Sequence, residues 1–162
     1  MAVGANSTIA VSSNVDNWTT YQLGDTSQSN LETIAYGKDT DTGETMWMLG
    51  TGGSYAASGS NPTGGAGTWS DLEQITNKSN HRALQFGDNG DGVWIMATRN
   101  RIKRNVSGSW GGNINLNVNQ TKGVANNGAG TWAIATTFYN QGRPAIWKSL
   151  DDGASWSAAW VW

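Results

Sequence analysis

Short stretches of alternating apolar and polar residues, divided by glycine-bearing turns, run the length of this chain. No apolar pattern keeps helical spacing over a useful length, so the elements it predicts are strands. Three stretches match one another: Thr45-Met46-Trp47-Met48-Leu49-Gly50-Thr51, Val93-Trp94-Ile95-Met96-Ala97-Thr98 and Thr131-Trp132-Ala133-Ile134-Ala135-Thr136. Each follows a turn that carries glycine, at Gly43, at Gly90 and Gly92, and at Gly128 and Gly130. Before each turn lies another short strand, over residues 31–36, 81–86 and 122–125. A second series, Trp18, Trp69, Trp110 and Trp156, opens the strand that closes each unit. Its members stand about 40–50 residues apart, the length of a repeat built from four short strands.

The repeat reads as four antiparallel strands, a to d. Unit one covers residues 30–75, unit two 80–116 and unit three 121–162. Residues 1–24 supply only the outer pair, with strand c at 7–12 and strand d at 18–23. The expected division is therefore an N-terminal hairpin at 1–24 and a three-blade domain at 25–162. The Gly- and Ser-rich run 54–67 reads as one long loop. The fold class is all-β and β-propeller-like, three four-stranded antiparallel blades plus the hairpin. Closed propellers have about four to eight blades. Three would leave apolar sheet faces bare at both ends. Completion by self-association, for example two copies giving six blades, is the simplest remedy. A stack capped by its own end at Trp160, Val161 and Trp162 is the second.

Composition narrows the function classes. Ten Trp stand beside two Phe and two Pro, and only 14% of residues are charged, well under the roughly 25% of an average chain. Solubility then rests on Asn, Ser, Thr and Gly. A net charge of −2 gives no attraction for nucleic acid or for a membrane surface. The absence of Cys removes disulfides and thiolate metal sites. The first residues lack the basic and apolar runs of a secretion signal.

The segment Ser149-Leu150-Asp151-Asp152-Gly153-Ala154-Ser155-Trp156 fits the pattern Ser-x-Asp-x-Gly-x-x-Trp. Asp151 can bond backbone N–H groups ahead of it and hold a hairpin closed. Gly153 supplies positive φ, and Trp156 drops a large apolar ring beneath the loop. The segment resembles the Asp-box of sialidase-type and photosystem-assembly-factor-like β-propellers. That resemblance implies a structural brace formed by Ser149, Asp151, Gly153 and Trp156 at the blade periphery, away from the ligand face. It implies no activity.

Other candidate sites are weighed against plainer roles. Trp160 and Trp162 fall outside both Trp series and alternate on the last strand, so one face can carry both. They are the candidate oligomer contact, together with the N-terminal strand around Ile9 and Val11. The connections from strand d to strand a share Ser29-Asn30 and Ser79-Asn80, with 119–121 a looser copy. In propellers this connection opens on the ligand face, which makes it the candidate partner or ligand face, although Asn and Ser also cap turns. Asp39, Asp41 and Glu44, and Asp88 and Asp91, sit in hairpins whose turn chemistry explains them without calcium. Arg99, Arg101, Lys103 and Arg104 form the one basic cluster, placed on a peripheral strand where charge blocks edge pairing. His81 has no Ser-His-Asp or Cys-His partners in the pattern, and the arginine triad and activated Tyr of a sialidase are missing.

The expectation is no catalysis, no cofactor and no metal. The function expected is a structural or adhesive propeller subunit of an extracellular or viral assembly, a phage virion decoration or tail protein, acting as a homo-oligomer with other structural proteins or a surface glycan. A carbohydrate-binding propeller lectin is the alternative.

Overall fold

The computed structural model describes residues 1–23, 30–53, 55–75, 81–90, 92–116, 118, 120–139 and 143–161. The strands are β1 (Ala2–Val3), β2 (Thr8–Val11), β3 (Thr19–Gln22), β4 (Leu31–Lys38), β5 (Thr45–Thr51), β6 (Tyr55–Gly59), β7 (Glu73–Gln74) and β8 (His81–Gly87). They continue with β9 (Val93–Thr98), β10 (Arg101–Val106), β11 (Ser109–Trp110), β12 (Ile114–Asn115), β13 (Thr121–Asn126), β14 (Trp132–Tyr139), β15 (Arg143–Ser149) and β16 (Ser157–Val161). They form four antiparallel sheets in chain order: β1-β2-β3, β4-β5-β6-β7, β8-β9-β10-β11 with β12 also on β10, and β13-β14-β15-β16. The all-β, β-propeller-like architecture expected from the repeat is what the chain adopts, with units one to three as the second to fourth sheets.

Three local expectations are corrected. The N-terminal unit is not a lone hairpin, because β1 pairs with β2 through Ala2–Ala10 and Val3–Ile9. Residues 54–67 are not one loop, because β6 lies inside them. Its Ala56 and Ala57 are buried, and a Cβ at Gly59 would sit 2.9 Å from the Trp69 ring, so small residues are required where they had suggested irregular chain. In the third sheet the outermost strand is broken in two, β11 and β12, both paired with β10.

The core is a set of seams between successive sheets. Ile9, Val11, Leu31, Leu49 and Trp69 fill the first seam. Met48, Leu84, Trp94 and Met96 fill the second. Val93, Ile95, Ile102, Leu116, Trp132 and Ile134 fill the third. Alternation along each central strand sends one set of side chains to the preceding sheet and the other to the next. Trp94 and Trp132 are almost wholly buried. Trp47 is only partly so, packed against a first sheet of three strands.

Four residues after each of these Trp stands a buried Thr. Thr51 Oγ1 accepts from the N–H of Gly53 at 3.1 Å. Thr98 Oγ1 donates to the Arg101 carbonyl at 3.0 Å and Thr136 Oγ1 to that of Ala145 at 3.1 Å. A buried hydroxyl must be paired; Thr51 and Thr98 bond the chain just after their strands, and Thr136 ties β14 to β15. Trp94 also crosses a seam, its Nε1 donating to the Lys38 carbonyl at 2.7 Å. Trp94→Phe keeps a ring but orphans that carbonyl, and should cost about 1–3 kcal/mol. Urea denaturation checks this, and an unchanged midpoint would show that the seam does not rely on the bond.

Candidate functional site

The turn at 149–156 joins β15 to β16 and is hydrogen-bonded throughout. Ser149 Oγ donates to Asp151 Oδ1 at 2.7 Å and accepts from the Gly153 N–H at 2.8 Å. Asp151 Oδ1 accepts the Ser155 N–H at 2.9 Å, and Oδ2 accepts the Ser155 hydroxyl at 2.6 Å. Trp156 Nε1 donates to the Gly153 carbonyl at 3.0 Å. These donors favour the charged carboxylate. The side chains of Ser155 and Ser149, then the Ser155 N–H, bring the Asp151 pKa down from 3.8 to about 2.

The same turn is keyed into the third sheet. Gly153 has φ 78°, and a Cβ there would lie 2.5 Å from Ile95 Cδ1. Glycine is needed twice over, for conformation and for approach. Arg104 Nε donates to the Asp152 carbonyl at 2.7 Å, and Asn89 Nδ2 donates to Asp152 Oδ2 at 3.0 Å. The turn therefore spends its polar groups on its own closure and on the neighbouring sheet.

A second turn of this kind escaped the sequence reading. Between β2 and β3, Ser12 Oγ donates to Asn14 Oδ1 at 3.3 Å, and Asn14 Oδ1 accepts the N–H groups of Asp16 and Asn17 at 3.2 and 3.1 Å. Trp18 Nε1 donates to the Val15 carbonyl at 2.9 Å. Ser12, Asn14 and Trp18 thus repeat Ser149, Asp151 and Trp156 in a shorter loop, with Asn for Asp. The signal was Ser-x-Asn ahead of a Trp of the second series.

The other candidates scatter. Ser29, Ser79, Asn80 and Trp162 lie outside the described residues. Asn30 is exposed, its carbonyl accepts the Gly52 N–H at 2.7 Å, and its Oδ1 accepts the Asn6 N–H at 3.4 Å. Its observed bonds tie the start of β4 to the end of β5 and to the first sheet. Trp160 is 47% exposed on β16. Ile9 and Val11 are buried against the second sheet, so they are removed from the proposed oligomer contact. The basic cluster is not on a free edge, because β11 and β12 both pair outside β10. Lys103 Nζ there donates to the Gly111 carbonyl at 2.9 Å.

In the acidic hairpins, Asp39 Oδ1 accepts the N–H groups of Asp41 and Thr42 at 2.8 and 3.1 Å. Lys38 pairs with Asp88 at 2.6 Å. Among the described residues no cluster of three or more His, Cys, Asp or Glu is placed to hold a metal ion. A cavity of about 110 Å³ opens between the second and third sheets, lined by Asp39, Met46, Met48, Glu73, Trp94 and Trp110. Apolar side chains meet there with the carboxylates of Asp39 and Glu73 and the hydroxyls of Thr40 and Ser58.

No protein-family model matches the chain, and no curated protein matches it. Solved structures do. The structure of YCF48 bound to D1 peptide matches at TM-score 0.56 and 16% identity, over 88% of this chain and 43% of that one. A chain of the nidogen/laminin complex matches at TM-score 0.58 and 11% identity, over 98% of this chain and 60% of that one. The chain therefore spans less than two thirds of each. At such identities the likeness is one of fold, and the fold is β-propeller-like.

Asp151→Ala should leave the Ser155 N–H and both serine hydroxyls short of a partner and cost about 1–2 kcal/mol. The folded pKa lies below the ordinary value, so the stabilisation is present above pH 3.8 and is lost as pH falls toward 2. Denaturation at neutral and acid pH should show Asp151→Asn losing less stability on acidification than the parent. Equal losses would contradict the assignment.

Proposed function

We propose that this chain is a non-catalytic structural or adhesive propeller subunit that works by docking sheet faces against protein partners. The observation that carries the reading is the outer face of the fourth sheet. Register puts Ala135, Ile146 and Trp160 side by side on it. Ala135 and Trp160 are exposed and Ile146 is half-buried. An exposed, largely apolar sheet face of this kind marks an interaction surface.

Turn 149–156 is read as the Asp-box of the propeller family, serving as a brace, because its polar groups are spent on internal bonds. The two solved structures of like fold are of complexes with a peptide and with another protein, in keeping with protein contact. Low charge and the Asn, Ser, Thr and Gly bias suit an extracellular or virion assembly, and a phage decoration or tail protein is the form of it that we favour. The lectin alternative needs repeated exposed aromatics on one face. The exposed Trp18, Tyr36 and Trp160 belong instead to the first, second and fourth sheets.

Sedimentation equilibrium on the purified chain should give a self-associating species. Ala135→Asp should shift it to monomer without changing the near-UV spectrum of the buried Trp. A stable, soluble monomer of the parent chain would remove the reading.

A further inference from the structure

We infer that two copies of this chain join head to tail, the outer face of one fourth sheet receiving the first sheet of the other copy. The contact would be the seam that already joins the third sheet to the fourth. The inference rests on the docking role proposed above and specifies its occupant and geometry.

The donor face is defined by register. In the third sheet, Ile95 pairs with Arg104 and Ala97 with Ile102. Ile95, Ala97 and Ile102 are fully buried, and Arg104 reaches the Asp152 carbonyl. In the fourth sheet, Ala133 pairs with Lys148 and Ala135 with Ile146. Counted from Trp94 and Trp132, these four hold the positions of Ile95, Arg104, Ala97 and Ile102, of which only Arg104 is not fully buried. Ala133 and Ile146 are nonetheless half-buried, and Ala135 and Lys148 exposed. A face laid out like a filled seam stands open, with a cation where the guanidinium is.

The receiving face has the matching layout. Arg104 of the third sheet meets turn 149–156, and the first sheet carries the corresponding turn at 12–18. Asp152 has φ 53° and Val15 φ 62°, so both turns hold a non-glycine residue in the left-handed region. Trp156 packs into the third seam, whereas Trp18 is 48% exposed and Val15 77%. Ile9 and Val11 face the second sheet, so alternation turns Ala2, Thr8, Ala10, Thr20 and Gln22 outward. That face is small and uncharged, and Lys148 would meet the carbonyls of turn 12–18. The four described sheets of two copies number eight, within the propeller range of about four to eight blades. A head-to-tail contact that closes needs no further copies.

The chain has no Cys, so site-directed cross-linking starts from a clean background. Ala10→Cys and Ala135→Cys are made singly and together, and treated with a bis-maleimide of about 10 Å reach, the spacing of packed sheets. The double variant should give a covalent dimer whose linked peptides contain positions 10 and 135 from different copies. The two single variants should cross-link only when mixed. Lys148→Glu should weaken association at least tenfold with an unchanged melting curve for the monomer. Linkage of the position-135 variant to itself would mean a face-to-face dimer and overturn the head-to-tail seam. Association without any 10-to-135 linkage would overturn the seam and leave the docking role standing, whereas a monomeric parent chain would overturn both.

Discussion

An aromatic ring driven into a glycine of the preceding sheet holds the second and third seams of this stack together. A Cβ on Gly37 would lie 2.3 Å from Phe86 Cγ, and one on Gly87 would lie 2.5 Å from Trp132 Cζ2. Either contact is closer than any side chain tolerates, so glycine and ring are a fitted pair. Polar bonds run beside the rings: Trp94 Nε1 to the Lys38 carbonyl at 2.7 Å and Asn126 Nδ2 to that of Phe86 at 2.9 Å. At the rim, Thr40 Oγ1 accepts the Gly108 N–H at 2.8 Å, and Asn89 holds Asp152. In the second and third sheets the hairpin between the two inner strands thus grips the outer turn of the next sheet.

A thin sheet whose two faces are both apolar has no stable existence apart from its neighbours. Among the described residues the second and third sheets have neighbours on both sides, and the first and fourth on one. Where the second and third sheets meet, the rim is tied, yet a cavity remains beneath it among Met46, Met48 and Trp110. The third seam is filled by Leu116, Val118, Trp147 and Trp156. The polar chemistry follows the same division, since the best-bonded turn braces a seam and the least-covered face is apolar.

Much of this was legible in the residues. Both Trp series and the glycines of the inner hairpins announced a repeat, because a buried ring and a positive φ admit few substitutes. The missed strands failed for physical reasons. Strand β1 is two residues with no periodicity to read. Strand β6 is Tyr-Ala-Ala-Ser-Gly, small because Trp69 lies on it, and small residues look like loop. The turn at 12–18 was hidden by Asn in place of Asp and by its shorter span. Ile9 and Val11 showed an apolar face correctly, but alternation alone does not tell whether such a face meets its own chain or another. Asn30 bonds Gly52 and Asn6, partners distant in sequence that no local pattern around it shows.

The claim beneath all of this is that the sheets are fitted ring into glycine, and a double-mutant cycle at Gly87 and Trp132 tests it most directly. Gly87→Ala, Trp132→Phe and the pair would be compared by chemical denaturation. A shorter ring makes room for the added methyl, so the account predicts that the pair is more stable than the sum of the singles by at least about 1 kcal/mol. Strict additivity would contradict it, and would mean that the seam is held by area alone.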